Sequence, residues 1–406
     1  MTISQLLNHW IDFLFKKQSP IPMAIFRIAF GVLTLQMALI HVGNCVLLWY
    51  GPHGVAPLSS VKTYWWWNQP HLDLFLLFPQ TEAGTMTLWT IFIVSLIFLT
   101  VGLFTQTAAV FVCLILISLH NHQPFNINGG DAMLRLYAGY LLFSESGAAL
   151  SFDRLIGRFR NPTFGKASTP PDIIPWGQRM IQVQMSVAYC STFLHKVNGA
   201  QWLDGSAVYY ATRLDDMINN QIPLLFNNLF ICKLLTWSTL LIEGAMFTLV
   251  WLKDLRYYVL LAAIGLHLGI DYAINLPVFE FAFMAAFITF VEPTDLRKAA
   301  DYVKSQINTG FGGATRFTYL NNNRSQTSLA SVIEGLDILG RLTIEADESA
   351  TTERVTAQTS FGNLNGWKLF CWLTCQLPIL YPAFPFSGLP FLIMNKPSAV
   401  VPTEQT

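Results

Sequence analysis

Charge is what this chain has least of. Lys, Arg, Asp and Glu make up 12% of its 406 residues, about half the share a soluble globular chain carries. That excludes a water-facing surface over most of the molecule. The formal net charge is +0, so no basic excess points to nucleic acid. Several chemical signatures are missing as well: the sequence holds no CxxC, no phosphate-binding glycine loop, no HExxH and no spaced set of zinc ligands. Its six cysteines (Cys45, Cys113, Cys190, Cys232, Cys371, Cys375) are scattered, mostly within apolar runs. Small buried side chains account for them better than disulfides or a metal site. The first apolar run follows Lys16–Lys17 and continues without a small-residue cleavage site, so it is expected to be a retained span and not a cleaved signal peptide.

What the chain has is hydrophobicity, with 53% apolar residues and a mean hydropathy of +0.43. A bilayer core takes about 20 apolar helical residues. Eight candidate spans follow: 22–42, 85–104, 106–119, 130–146, 178–194, 228–251, 257–274 and 277–291. The predicted fold is therefore mainly α, a polytopic helical membrane bundle of about eight spans followed by a small α/β C-terminal domain. The boundaries read as an N-terminus with an interfacial helix (1–20), a membrane domain (21–298), a linker (299–314), the small domain (315–394) and a flexible tail (395–406). Segment 45–80, with Trp65, Trp66 and Trp67, reads as interfacial, since Trp favours headgroup level. Segment 202–218 reads as an amphipathic stretch on the same side.

Lys and Arg set the expected orientation. Lys16, Lys17, Arg154, Arg158, Arg160, Lys166, Arg179, Lys253, Arg256, Arg297 and Lys298 fall in one set of loops. The opposite loops hold only Lys62, Lys196, Arg213 and Lys233. The positive-inside rule then places both termini in the cytoplasm of a multi-pass cell-membrane protein. Near the outer face fall His120, His122, Asp131, Arg135, His195, Lys196, His267, Asp271 and Glu280. Asp131 and Arg135, like His267 and Asp271, are four apart and share a helical face. Near the inner face lie Arg27 and Glu243, expected to form a structural ion pair. Intramembrane charges face cavities or one another, so the outer set predicts an outward-opening pocket; the plainer account is helix-end residues touching water. His120 and His122 could pair at a metal only with a third ligand, which the sequence does not offer, so no metal is assigned. Asn128-Gly129-Gly130-Asp131 reads as a turn feeding an N-capped helix.

The densest motif is FLHKVNGAQWLDGSA (193–207), which puts Lys196, His195 and an Asn198–Gly199 turn at the end of an apolar run. A lysine there reads either as an interfacial anchor whose stem reaches the headgroups or as a partly desolvated amine suited to act as a base.

Four blocks carry a resemblance: FRIAFGVLTL (26–35), HNHQPFNINGGDAMLRLYAGYLLF (120–143), FLHKVNGAQWLDGSAVYYAT (193–212) and HLGIDYAINLPVFEF (267–281). In order and spacing, above all in K-x-N-G-x-x-W-x-x-G, residues 20–298 resemble the horizontally transferred transmembrane (HTTM) domain. This is the membrane domain of vitamin K-dependent gamma-carboxylase and its bacterial relatives. The resemblance implies that Lys196 is an unprotonated base for a reduced quinone such as vitamin K hydroquinone. With O2 the quinol becomes an epoxide and a strong base, which in the carboxylase removes a glutamate proton before CO2 adds. It implies that His122 supports the site, and His267 falls in another matching block; the outward-opening pocket read from depth is expected to bind substrate through His120, Asp131, Arg135, His195, Trp202, His267 and Asp271. The carboxylase's large extra-membrane domain on the active-site side has no counterpart here, which argues against glutamyl carboxylation itself. Other relatives serve peptide maturation or export, so a second reading is a non-enzymatic membrane factor for a secreted peptide. Beyond membrane lipids and such a peptide, no partner is implied.

TRFTYLNNNRSQTSLASVIEGLDILGRLTIEAD (315–347) and FGNLNGWKLFCWLTCQLPILYPAFPFSGLP (361–390) resemble the DCC family of thioredoxin-like thiol–disulfide proteins. Where that family carries Y-D-G-x-C-x-x-C after its first strand, this chain runs from Tyr319 to Thr327 with Arg324 and Thr327 in the cysteine positions. Thiolates are the whole of that redox chemistry, so the resemblance implies a degenerate, structural domain. The other reading of the tail is an amphipathic segment whose Leu369–Leu377 helix lies on the membrane.

Overall fold

The computed structural model describes residues 2–394 apart from 56, 58–59, 61–71, 125–126, 216, 277, 312–314, 320–322, 347–354, 360, 378–379, 381–382 and 384. The Trp65–Trp67 cluster therefore lies outside the described residues. The protein is mainly helical, with a small four-stranded sheet in its C-terminal region. The helices are α1 (Ile3–Phe15), α2 (Ile21–Gln36), α3 (Glu82–Val101), α4 (Thr105–His122), α5 (Gly129–Leu142), α6 (Phe152–Arg160) and α7 (Trp176–Val197). They continue with α8 (Leu229–Phe247), α9 (Lys253–Ala273), α10 (Phe279–Phe287), α11 (Pro293–Phe311), α12 (Arg324–Leu336) and α13 (Gly366–Gln376), and several shorter turns lie between.

Four helical stretches among the described residues are long and apolar enough to cross a membrane: Ile21–Tyr50, Glu82–Val101, Thr105–His122 and Leu229–Phe247. The other apolar runs become helices with features that hold them below that mark. Gln178, Arg179, Gln182, Gln184, His195 and Lys196 dilute α7, and Lys253, Asp254 and Arg256 open α9. α5 has 14 residues and α10 has 9, the latter continued by a 3-10 turn at Ile288–Phe290.

The chain divides into two compact units, residues 1–151 with 171–293 and residues 152–170 with 294–406. In the first, apolar side chains such as Phe26, Phe30, Phe92, Leu96, Leu116 and Tyr137 are fully buried in one core. α8 shows an inverted pattern. It buries Cys232, Thr236, Thr239, Glu243 and Met246, spaced three and four apart on one face. It exposes Leu229, Phe230, Leu234, Trp237 and Leu241 on the other.

In the second unit the strands β1 (Thr315–Tyr319), β2 (Leu342–Ala346), β3 (Thr356–Thr359) and β4 (Gly362–Asn365) lie in the order β2-β1-β3-β4. β1 and β2 are parallel, joined across α12, while β3 runs antiparallel to both β1 and β4. Phe317, Ala330, Ile333, Ala357, Leu364 and Trp372 form its core. Residues 152–170, a loop between spans in the sequence reading, belong to this unit. Arg158 of α6 donates to Glu334 Oε2 (2.9 Å), Ser331 Oγ (3.4 Å) and the Thr163 carbonyl (3.1 Å). Phe164 stacks on Tyr319 with ring centroids 5.2 Å apart.

Candidate functional site

Lys196 stands in the last turn of α7, and the motif around it has a local mechanical reading. The Asn198 side-chain amide donates to the Leu194 carbonyl (2.7 Å) and the Gly199 N–H to the Lys196 carbonyl (2.9 Å), so the helix ends there. The chain then folds back as a short turn, Ala200–Leu203, which brings Trp202 over the lysine with Nζ 4.9 Å from the ring centroid. Gly199 permits this, because a Cβ there would meet Trp202 Cδ1 at 3.1 Å. Gly205 closes the motif at φ +85°, backbone that favours glycine, where a Cβ would also press on Lys233. Lys196 Nζ itself donates to Glu243 Oε1 of α8. The lysine side chain is 24% exposed and the glutamate 7%.

This corrects one expectation. Glu243 takes Lys196, not Arg27, as its partner. Arg27 turns its guanidinium to the carbonyls of Ser146 (2.5 Å), Ala149 (3.4 Å) and Leu150 (2.5 Å), which follow the end of α5. Those carbonyls belong to the loop between α5 and α6, where a buried backbone acceptor needs a donor.

The other outer-layer residues sort into separate groups. His122 Nδ1 meets Asp73 Oδ2 at 2.9 Å, and its ring packs 4.4 Å from Phe75. Both members of this pair are buried, so His122 is oriented by a carboxylate and sealed by an aromatic face. His267 Nδ1 pairs with Glu280 Oε2 of α10, and its Nε2 lies 2.5 Å from the Tyr189 hydroxyl of α7. Tyr189, His267 and Glu280 are all buried. Asp271, one turn beyond His267, instead lines a recess of about 180 Å³ with Asn219 and Asn275.

His120 and Asp131 line a larger recess of about 320 Å³ with His41, Tyr50, Gln123, Trp49 and Trp89. The two recesses share His41 and Val278. His41 belongs to a π-helical turn, Met37–Val42, that continues α2; such turns recur at functional sites. His120 Nδ1 and Gln123 Oε1 are buried without a partner among the described residues. Asp131 is held by a capping box: Asn128 Oδ1 accepts from Gly130 and Asp131 N–H, and Asp131 Oδ2 accepts from Asn128 N–H (2.9 Å). Arg135 lines a different, apolar hollow with Cys113, Leu136 and Trp176. His195 is exposed, and its Nδ1 lies 2.7 Å from the Ser191 carbonyl oxygen.

The structure thus brings Lys196 together with Trp202, and His120 with Asp131, in two distinct places. His122 and His267 each have a carboxylate of their own. Sequence reasoning missed Asp73, Tyr189, Gln123, His41 and the role of Glu243. Glu280 was in the outer set without a partner. The signal for Tyr189 was its spacing of seven from Lys196, two turns along one face of α7. Among the described residues no three His, Cys, Asp or Glu side chains gather as a metal site would need.

In the second unit, α12 begins at Arg324 behind an Asn323 cap that accepts from Ser325 and Gln326 N–H. The cysteines of this unit, Cys371 and Cys375, sit on α13, and burial pushes both thiols up from their ordinary pKa, away from nucleophilic thiolate.

Comparison with known proteins gives no match for this chain among protein-family models, curated proteins or solved structures.

Proposed function

We propose that the first unit is a multi-pass membrane bundle that oxygenates a lipid-soluble reduced quinone with O2, using Lys196 as the base. The observation that carries this reading is the Lys196–Glu243 pair. Glu243 holds the Nζ end of Lys196 beside Trp202 and places a carboxylate against the charge that the amine would gain on taking a quinol proton. The quarter-exposed lysine beside the Trp202 ring leaves an approach for a flat ring. His122, locked to Asp73, serves as a supporting group and makes no direct contact with Lys196 among the described residues.

The inverted pattern of α8 supports the bilayer assignment, since apolar side chains face outward and polar ones inward where the solvent is lipid. The eight-span count and cytoplasmic termini rest on the helix positions and the Lys/Arg distribution. The second unit reads as a degenerate DCC-type thioredoxin-like domain. Its support is the β2-β1-β3-β4 order with β3 reversed, and the absence of Cys between Tyr319 and Thr327 removes the redox chemistry.

A second reading, a non-enzymatic factor for a secreted peptide, draws on the larger recess. Its buried acceptor Gln123 Oε1 and the His120 ring nitrogen suit backbone N–H donors. One experiment separates the two. Purified protein in lipid nanodiscs is given O2 and a panel of quinols, including vitamin K hydroquinone. Epoxide from wild type and none from Lys196→Ala is expected; no epoxide from wild type with any quinol would transfer the assignment to the peptide reading.

A further inference from the structure

Two irregularities of the backbone meet at one place in the first unit. The π-helical turn Met37–Val42 continues α2, and Val278 enters α10 at φ +69°, a left-handed conformation that a β-branched residue rarely adopts. Residues of both line the recess of about 320 Å³. Backbone held in such conformations gathers where ligands are bound or reactions occur.

The polar atoms of that recess define what would fill it. His120 and Gln123, three apart at the end of α4, are 6% and 2% exposed. His120 Nδ1 and Gln123 Oε1 have no partner among the described residues. The Gln123 amide is fixed in orientation, because its Nε2 donates to the Trp49 carbonyl at 2.7 Å, so Oε1 stays an acceptor. A neutral imidazole offers a lone pair as well. Asp131 supplies a third acceptor. Gly130 lets α5 start against α10, since a Cβ there would stand 2.6 Å from Phe279 Cα, and Asp131 follows it into the recess wall. Asp131 Oδ2 takes the Asn128 N–H, and a carboxylate has further lone pairs to offer. Trp49, Tyr50 and Trp89 add aromatic side chains, and neither Lys nor Arg lines the recess among the described residues. Arg135, one turn along α5 from Asp131, opens on the other hollow.

We propose that this recess binds a primary ammonium group, carried by a small free amine or by the ethanolamine headgroup of a lipid. An ammonium donates three hydrogen bonds and accepts none, which matches Asp131, Gln123 and His120 in number and kind. The carboxylate compensates the charge, as a buried ion requires. Aromatic rings in the wall add attraction for a cation. A quaternary ammonium has the charge without the N–H groups, so it would leave Gln123 Oε1 and His120 Nδ1 unpaired. Neither the quinol reaction nor a secreted peptide is needed for such binding.

Isothermal titration of the full-length protein in phosphatidylcholine nanodiscs tests this, with ethylamine hydrochloride, tetramethylammonium chloride and 1-propanol as probes and protein-free nanodiscs as blank. Ethylammonium is expected to bind at least about tenfold more tightly than either of the others. Asp131→Asn keeps an oxygen for the Asn128 N–H and loses the charge; Gln123→Met keeps the length and loses the acceptor. Each should weaken ethylammonium at least about tenfold. Adding phosphatidylethanolamine to the nanodiscs identifies the source: competition with ethylammonium assigns the site to the lipid headgroup, and unchanged affinity assigns it to a free amine. Absence of ethylammonium binding in phosphatidylcholine, equal affinity for the three probes, or wild-type affinity in Asp131→Asn would overturn the proposal. So would tighter binding of a short peptide with a blocked N-terminus, which would give the recess to the peptide reading. Epoxidation plays no part in this assay, so failure here leaves Lys196 as base intact.

Discussion

Glu243 lies fifteenth of nineteen residues in α8, far from the end that follows the outer loop, yet it pairs with Lys196 at the end of α7. Ranking each group by its distance along its own helix assumes that neighbouring helices start level. α7 and α8 do not. Trp251 Nε1 donates to Ser186 Oγ at 3.0 Å, and the Phe193 and Phe247 rings lie 5.5 Å apart. That antiparallel register sets the end of α7 against the last quarter of α8. Earlier in α8, Thr236 Oγ1 accepts from the N–H of Val208, in the short helix Ala207–Ala211, at 3.1 Å. A double-mutant cycle on unfolding in detergent checks the partnership. Lys196→Met with Glu243→Gln should show a coupling of about 1–3 kcal/mol, and Arg27→Met with Glu243→Gln should be additive within about 0.5 kcal/mol. Coupling in the second pair and none in the first would restore the ion pair expected from depth alone.

Helices were legible in the sequence because long apolar runs have few other solutions. The runs at 85–104, 106–119, 178–194 and 257–274 became α3, α4, α7 and α9 with ends shifted by a few residues. The small α/β region expected from residue 315 likewise contains β1, α12 and β2. Contacts between distant segments were not legible, since no periodicity encodes them. The clearest case is α6, whose basic residues read as an orientation signal for a loop. In the structure Arg158 is buried against Ser331 and Glu334 of α12. Glu334 also accepts from the Gly165 N–H at 2.9 Å, so two segments converge on one carboxylate. Arg158→Ala leaves Glu334 and the Thr163 carbonyl short of a charged donor. Such a loss costs about 2–4 kcal/mol, and hydrogen exchange should quicken across both α12 and residues 152–170. Faster exchange confined to α6 would show that the guanidinium does not hold the two together. The Lys196 motif was legible as a motif, but its chemistry lay in Glu243, a lone acid in an apolar run that gave no hint of its partner.

Among the described residues, some of the few charges are paired inside the first unit, as Lys196 is with Glu243 and His267 with Glu280. The topology proposed from the Lys/Arg distribution puts Asn198 and Ser325 on opposite sides of the bilayer. Single cysteines at Asn198 and at the exposed Ser325, in a background with the native cysteines replaced, test this with a membrane-impermeant maleimide. Asn198→Cys should label on intact cells and Ser325→Cys only after permeabilisation; labelling of both from one side would break the topology. The central claim, that Lys196 is a base, is tested most directly by Lys196→Arg. A guanidinium keeps the charge, pairs well with Glu243 and can reach the interface as an anchor does, but it does not give up its proton. Quinol epoxidation is therefore predicted to fall to the level of Lys196→Ala, with wild-type expression and thermal stability. Full epoxidation by Lys196→Arg would contradict the account and leave Lys196 as an anchor.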